Sequence, residues 1–484
     1  MGRGHKVVPA SDGIDRRETG FYRTPGFVAQ YLARRILERR PGLGSLVDPC
    51  VGDGAFLEPF LGAGYAIRGM DILALGPPAG LRFERTDFLA EYEAWREGQR
   101  SPWPEDAWVL NPPYNCHEAA YIREHKPRLG ALFPDLGVPN LYGLFLAAAV
   151  SMAKPGALLG VLSQDSFLTA RIHAPLRRLL LGECALHELL LCPTDLFRAQ
   201  GADVRTCVLL LEKGGEQGRV RVLDRPTDTS GFRLALAGDP GDLQPLEALR
   251  LSGDRDHGEL LVGVPGEVRA LFDQPRLGAS YPTITGISTG EDRRFLRPEP
   301  SRGHSVPFYK NPGRRKFYCE PDAYLPDEFL RLGEEVPGFQ VRNRELLPLE
   351  GLVCSSMGVP FGACLRPAGT AFGVNANVVP GRDAWWLLGY LNSSLVTYLV
   401  RGVLRRANMV TAGYVARVPL PPLDASCRRA LGQAARRAYR LRLPPERLGQ
   451  TTQAIDSMLG EALRLSPETA HKLEEFAADP VRRA

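Results

Sequence analysis

Apolar positions in the first half of the chain follow two different periods. Phe27 to Leu37 carries them at helical spacing, whereas Ser45-Leu46-Val47 is a short apolar run that enters Asp48-Pro49-Cys50-Val51-Gly52-Asp53-Gly54. Ala55 to Leu61 then predicts a helix, Tyr65 to Met70 a second strand ending at Asp71, and Ala107 to Leu110 a strand followed by Asn111. Leu141 to Ala153 predicts an apolar helix, and Ala157 to Leu162 and Thr206 to Leu211 predict two more buried strands. Strands alternating with helices imply an α/β layer around a mostly parallel sheet, which binds its ligands at the carboxyl ends of the strands.

The pattern changes near Glu212-Lys213-Gly214-Gly215-Glu216-Gln217-Gly218, a turn-rich stretch that reads as a linker. Residues 1–218 are therefore expected to form the α/β domain. Residues 219–422 hold many Pro and Gly breaks without a βαβ period and predict an irregular α+β domain. Residues 423–484 read as a helical segment with Arg-rich faces at Arg436, Arg437, Arg440 and Arg442.

Composition narrows the class. The 484 residues are 44% hydrophobic and 24% charged, the make-up of an ordinary globular chain of two or three domains. No apolar run approaches the length of a membrane span, and the first residues lack a signal-peptide pattern, so a membrane or secreted protein is not expected. Nine scattered cysteines without a CxxC pair predict reduced thiols in a cytoplasm and no structural zinc. The net charge of +5 is modest, but residues 401–484 hold fifteen basic residues against eight acidic ones, a net of +7, so the first 400 residues sum to −2. Of the 60 basic residues only seven are lysine. Arginine forks suit phosphates and guanine edges better than point-charge lysines do.

Two constellations carry chemistry. Gly52 and Gly54, in the turn after the first strand, are expected to let backbone approach a ligand at a helix N-terminus. Asp71 at the end of the next strand suits ribose hydroxyls, while Asp87 suits an adenine amino group with Phe88 packed on the ring. The second constellation is Asn111-Pro112-Pro113-Tyr114 at a strand tip. An exocyclic amine on a base is a poor nucleophile because its lone pair is delocalised. The Asn111 amide oxygen and the Pro112 carbonyl could accept its two N–H bonds and return electron density to nitrogen, on a loop that the prolines stiffen. Tyr114 offers a flat face for a base drawn out of its stack.

Taken together these residues resemble the amino-methyltransferases of DNA, in the gamma-class order of the TaqI type. Thr24-Pro25 resembles the family's N-terminal cofactor motif, Asp48 to Phe56 its S-adenosylmethionine loop, Asp71 its ribose-binding acid, Asp87-Phe88 its adenine-binding pair and Asn111 to Tyr114 its catalytic tetrapeptide. Asn140 to Phe145 and Gly156 to Leu168 are similar to its later sheet motifs. Leu196-Phe197 with Thr206 to Leu211 is similar to the segment whose aromatic residue stacks on the far side of the target base, a role the resemblance gives to Phe197. It implies a Rossmann-like S-adenosylmethionine-dependent catalytic domain followed by a target-recognition domain, whose opening resembles Thr285 to Asp292 with Phe295. It further implies double-stranded DNA as partner, N6 of a flipped adenine as methyl acceptor, N4 of cytosine as the alternative, and a monomer that could serve beside a cognate restriction endonuclease.

DNA contacts are expected from Arg293, Arg294, Arg314 and Arg315, interleaved with Phe295, Phe308, Tyr309 and Phe317, and from Arg405 and Arg406 near Asn408. Rival readings are methylation of a protein glutamine or of RNA, a bifunctional nuclease, and a binding module with a dead cofactor site. The first lacks a partner for the long second domain, the nuclease has only Glu124-His125-Lys126 as an acid-x-Lys, and the intact Asn111 to Tyr114 loop argues against the dead module. Direct methyl transfer needs no covalent intermediate, so Cys50 and Cys116 are expected to be apolar fillers.

Overall fold

The computed structural model describes residues 19–73, 75–101, 103–114, 119–201, 204–251, 257–357, 360–404 and 410–478. The chain divides into two compact units, Met1–Gly263 and Val264–Ala484.

The first unit is built on a nine-stranded sheet in the order β3-β2-β1-β4-β5-β7-β6-β8-β9. Its strands are β1 (Ser45–Asp48), β2 (Ala66–Asp71), β3 (Arg82–Arg85), β4 (Ala107–Leu110), β5 (Leu158–Gln164), β6 (Cys184–Leu191), β7 (Thr206–Lys213), β8 (Val220–Leu223) and β9 (Asp242–Gln244). Strands β3, β2, β1, β4 and β5 are parallel, while β7 runs antiparallel to both β5 and β6. All four residues of β4 are buried, as expected of a parallel strand covered on both faces. Chain order reverses between β1 and β4, and in open α/β sheets that switch point leaves a crevice at the carboxyl ends. Helix α1 (Gly26–Arg39), helix α2 (Phe88–Arg96), helix α3 (Ala120–Leu132) and helix α4 (Leu141–Met152) belong to this unit. Eleven of the twelve residues of α4 are buried, and the Asn140 side chain caps it by accepting from the Gly143 N–H at 3.1 Å.

Two expectations differ here. The helix predicted over Ala55 to Leu61 is a series of turns with a short 3-10 segment at Glu58–Phe60. Pro59 would place its ring against the Ala55 carbonyl and lacks the N–H that a helical turn needs, while burial of Phe56, Leu57 and Phe60 fixes the turns. The boundary expected after residue 218 falls inside the first unit, because β8 pairs with β6 and β9 pairs with β8. The Gly-rich stretch before it is the connection from β7 to this strand.

The second unit is α+β. A four-stranded antiparallel sheet joins Thr283–Ile284, Asn377–Val378, Gly351–Cys354 and Ala363–Arg366, and a three-stranded sheet centres on Val306–Tyr309. Three helices, Ala425–Leu441, Gly449–Leu463 and Pro467–Ala478, form the C-terminal helical segment. No single helix among the described residues is long and apolar enough to cross a membrane.

Candidate active site

A cavity of about 270 Å³ opens where the carboxyl ends of β1 to β4 meet. Pro49 and Cys50 follow β1, Asp71 to Leu73 end and follow β2, Thr86 to Phe88 follow β3, and Asn111 follows β4; all line it. Phe21, Tyr121, Leu141 and Phe145 complete its apolar walls. The lining thus combines carboxylates, aromatic rings and an amide.

Asp71 is held rigidly. Its carboxylate accepts from the Gly52 and Leu73 N–H groups, each at 2.8 Å, while burial raises its pKa. Asp48, behind it, does not line the cavity; it is almost wholly buried, accepts from the Cys50 N–H at 2.9 Å, and burial pushes its carboxyl up to about 7. Burial also pushes the Cys50 thiol well up, so this cysteine stays protonated beside the cavity.

Asp87 caps α2 by accepting from the Leu89 N–H at 2.9 Å, and its other oxygen accepts from the Tyr121 hydroxyl at 2.7 Å. Phe88 is buried against Trp103, Trp108 and Phe145 with an edge toward the cavity. Tyr121 and Phe145 carry no motif by which sequence alone singles them out; packing around Asp87 and Phe88 brings them in.

The glycines act differently from expectation. Gly52 and Gly54 have φ of 57° and 83°, but they are followed by turns and a short 3-10 segment rather than an α-helix, and neither lines the cavity. A Cβ on Gly52 would lie 2.4 Å from the Phe21 ring, and one on Gly54 would lie 2.4 Å from Pro78. In this structure the two glycines admit those side chains, and Gly52 supplies the N–H that anchors Asp71.

Thr24 and Pro25 also stand off the cavity, lining a separate hollow with Arg23 and Arg233. Thr24 Oγ1 instead accepts from Asn111 Nδ2 at 3.1 Å, and Pro25 stands at the start of α1. Asn111 Nδ2 also donates to the Tyr22 carbonyl at 2.7 Å, and Asn111 Oδ1 accepts from the Tyr114 hydroxyl at 2.6 Å. The amide is thereby oriented with its oxygen toward Tyr114. Pro112 is buried, while Pro113 reaches the cavity wall.

Tyr114 and Phe197 lie side by side, together with a third ring. Tyr22 stacks on Tyr114 at 5.5 Å and 24° and lies 5.6 Å from Phe197, while Tyr114 and Phe197 meet edge-on at 6.0 Å. Both Tyr114 and Phe197 are buried. A ring adjacent to Thr24-Pro25 was the missing member of this cluster, and its sequence position gives it no signature.

In the second unit Arg293, Arg294, Arg314 and Arg315 are exposed. The aromatics between them are not surface stackers: Phe295, Phe308, Tyr309 and Phe317 are all buried in that unit's cores. Arg315 pairs with Asp322 at 3.6 Å, and Arg294 lies over Phe295. Arg405, Arg406 and Asn408, like Cys116 in the first unit, lie outside the described residues.

Residues 93–233 match the family described as N-6 DNA Methylase. The type II methyltransferase M.BanIII of Aneurinibacillus aneurinilyticus is 23% identical over 216 residues, 38% of this chain and 37% of that relative's own length. Among solved structures, the Type IIL restriction-modification enzyme MmeI in complex with DNA aligns over 96% of this chain and 79% of its own, with a TM-score of 0.60 and 12% identity. The DrdV-DNA complex aligns over 89% of this chain and 58% of its own, with a TM-score of 0.57 and 10% identity. At these identities the likeness establishes the fold alone, a Rossmann-like α/β sheet with an α+β unit after it.

Proposed function

We propose that this chain is a site-specific DNA methyltransferase that carries a methyl group from S-adenosylmethionine to the exocyclic amine of a base turned out of duplex DNA, with adenine N6 as the target. The observation that carries this reading is the position of Asn111, on the wall of a cavity whose other walls present Asp71, Asp87 and Phe88.

The cavity suits the donor. Asp71, fixed by two N–H groups, can accept from a ribose diol, and Phe88, Phe145 and Tyr121 make an apolar slot with a carboxylate oxygen of Asp87 at its edge. When bound, S-adenosylmethionine supplies a sulfonium-activated methyl. The chain's own task is to hold the amine in line and make its nitrogen richer in electrons. Asn111 Oδ1 and the Pro112 carbonyl accept the two N–H bonds, and the proton lost after transfer leaves to solvent. Tyr114 and Phe197 give the base its flanking rings. No thiol takes part, consistent with a Cys50 held protonated by burial.

Adenine is preferred to cytosine because Asn opens the tetrapeptide and because the N-6 DNA Methylase match spans Asn111 to Tyr114. The exposed arginines of the second unit, Arg293, Arg294, Arg314 and Arg315, are assigned to DNA. The names of the similar proteins support a place in restriction–modification or a related defence system; we further assign the chain to the cytoplasm, as a monomer that serves beside a cognate endonuclease. The test is to incubate purified protein with plasmid DNA and labelled S-adenosylmethionine and map modified bases by long-read sequencing. N6-methyladenine at one short motif is expected. Label in N4 of cytosine overturns the choice of base, and DNA that stays unlabelled overturns the activity.

A further inference from the structure

Helix Ala425–Leu441 of the second unit carries five arginines, Arg428, Arg429, Arg436, Arg437 and Arg440, and no acidic residue. All five are exposed, and none makes an ion pair among the described residues. An exposed helix usually mixes signs along its face, because like charges one turn apart repel. Here, at 100° per residue, Arg429, Arg436 and Arg440 fall on one solvent stripe about 16 Å long, with Arg428 and Arg437 on its two sides. The opposite face is anchored: Leu431, Ala435 and Ala438 are buried, and Gly389 and Gly432 allow close packing on helix Ala384–Leu391.

Two of the five arginines are also braced. The Arg436 guanidinium lies 4.9 Å from the ring centre of Trp385, and that of Arg428 lies 4.8 Å from Trp386. Past the helix end, Arg442 lies 4.6 Å from Tyr318. Tyr439 meets Trp385 at 5.4 Å and Tyr318 at 5.5 Å, both edge-on, so the rings form one continuous support. Stacked guanidinium planes keep their N–H edges free for an incoming acceptor and lose less rotamer freedom on binding.

We propose that this arginine-braced helix face is a second DNA-contacting surface that grips the phosphate backbone of duplex DNA without reading its bases. Duplex DNA presents one negative charge per ~1.7 Å of its axis, so a rigid stripe of this length meets several phosphates at once. Gln433 is the one amide side chain on the stripe and none of the helix's aromatic residues lies on it, so positive charge rather than base-edge contact dominates the face. The face adds affinity on any sequence, and base choice is left to other residues. The inference rests on the reading of the chain as a DNA enzyme.

The test measures binding of random-sequence fluorescent duplexes of 40 and 12 base pairs across a salt series, with the full chain and the triple variant R429Q/R436Q/R440Q. Each lost phosphate contact removes about 0.9 from the slope of log affinity against log salt, so the variant is expected to lose about 2 to 3 from the wild-type slope on the long duplex. At 0.1 M salt it should bind the 40-base-pair duplex at least tenfold more weakly, with the same thermal midpoint and the same kcat at saturating DNA. The triple lysine variant R429K/R436K/R440K keeps the charge and should recover most of the slope. A Gln variant with the wild-type slope and affinity overturns the proposal while leaving methylation intact. A wild type that binds duplex with the expected slope but never methylates it overturns the activity and leaves this surface standing. Tighter binding of RNA of the same length, lost in the Gln variant, overturns the assignment to DNA.

Discussion

The Tyr114 hydroxyl donates to Asn111 Oδ1 at 2.6 Å, so the oxygen proposed to receive the target amine already holds a hydrogen bond. Burial keeps that phenol protonated and therefore a donor. The amide oxygen has a second lone pair, so one N–H of an entering amine can join this bond or displace it. Asn111→Ala is expected to lower kcat by about 10²–10³, the scale of losing one aimed polar group at a reacting centre, with cofactor Kd within a few fold of wild type. Tyr114→Phe keeps the ring and frees Oδ1, so its kcat should stay within about threefold of wild type. Single-turnover methylation with isothermal titration of cofactor checks both; a hundredfold loss in the Phe variant would put the hydroxyl itself in the chemistry.

On the proposed route a base seated between Tyr114 and Phe197 meets the Tyr22 ring. Its ring pairs with Tyr114 and Phe197, and those two meet edge-on at 6.0 Å, an arrangement with no parallel gap between them. Base capture on the proposed route requires the Tyr22 ring to withdraw. Tyr22→Ala is therefore expected to speed the rise of 2-aminopurine fluorescence at the target position in stopped flow, with cofactor affinity unchanged. It should also lower thermal stability, because aromatic pairs contribute about 0.5–1.5 kcal/mol each beyond their buried area. A slower rise would identify Tyr22 as part of the base's seat.

The α/β layer and the strand-end residues were legible because buried parallel strands read as plain apolar runs. Ala107 to Leu110 led directly to Asn111, and the acids Asp71 and Asp87 sit at the cavity where strand ends converge. Other features depend on contacts across the sequence. Nothing in Gly52 or Gly54 says that the space they leave is taken by Phe21 and Pro78. Arginine mixed with aromatics around residues 293–317 gives the same pattern whether the rings face solvent or core, and burial of Phe308 and Phe317 decides for the core. The Gly-rich stretch before residue 219 resembles a domain linker because a linker and a strand connection need the same residues; pairing of Val220–Leu223 with Cys184–Leu191 distinguishes them.

Asp48 makes stability depend on pH in a definite direction. Its folded pKa is raised from 3.8 to about 7 by burial, so the folded state binds a proton more tightly than the unfolded state does. The resulting stabilisation is fully present below pH ~4 and is lost as pH rises through about 7, with a limiting slope of ~1.4 kcal/mol per pH unit. Asp48→Asn can still accept from the Cys50 N–H but does not ionise. Thermal melts from pH 5 to 8 should show the wild type falling relative to this variant. Parallel curves for the two proteins across that range would show that the carboxyl does not titrate there.

Arg35 and Tyr31 on helix α1 converge on Glu188 of strand β6, whose carboxylate receives Arg35 Nε and the Tyr31 hydroxyl, each at 2.5 Å. Glu188 is wholly buried, while Arg35 is only partly buried and also pairs with Glu38 and Asp239, so the first helix is tied to the sheet through a buried carboxylate whose partner reaches toward the surface. Removing one partner of such a pair leaves the other uncompensated, at a cost of about 3–5 kcal/mol, whereas replacing both with apolar groups is often neutral. Arg35→Met should therefore lower the urea midpoint sharply, and the double variant Arg35→Met with Glu188→Met should recover most of the loss. Additive effects in that double-mutant cycle would mean the two side chains contribute separately, through packing rather than through the pair.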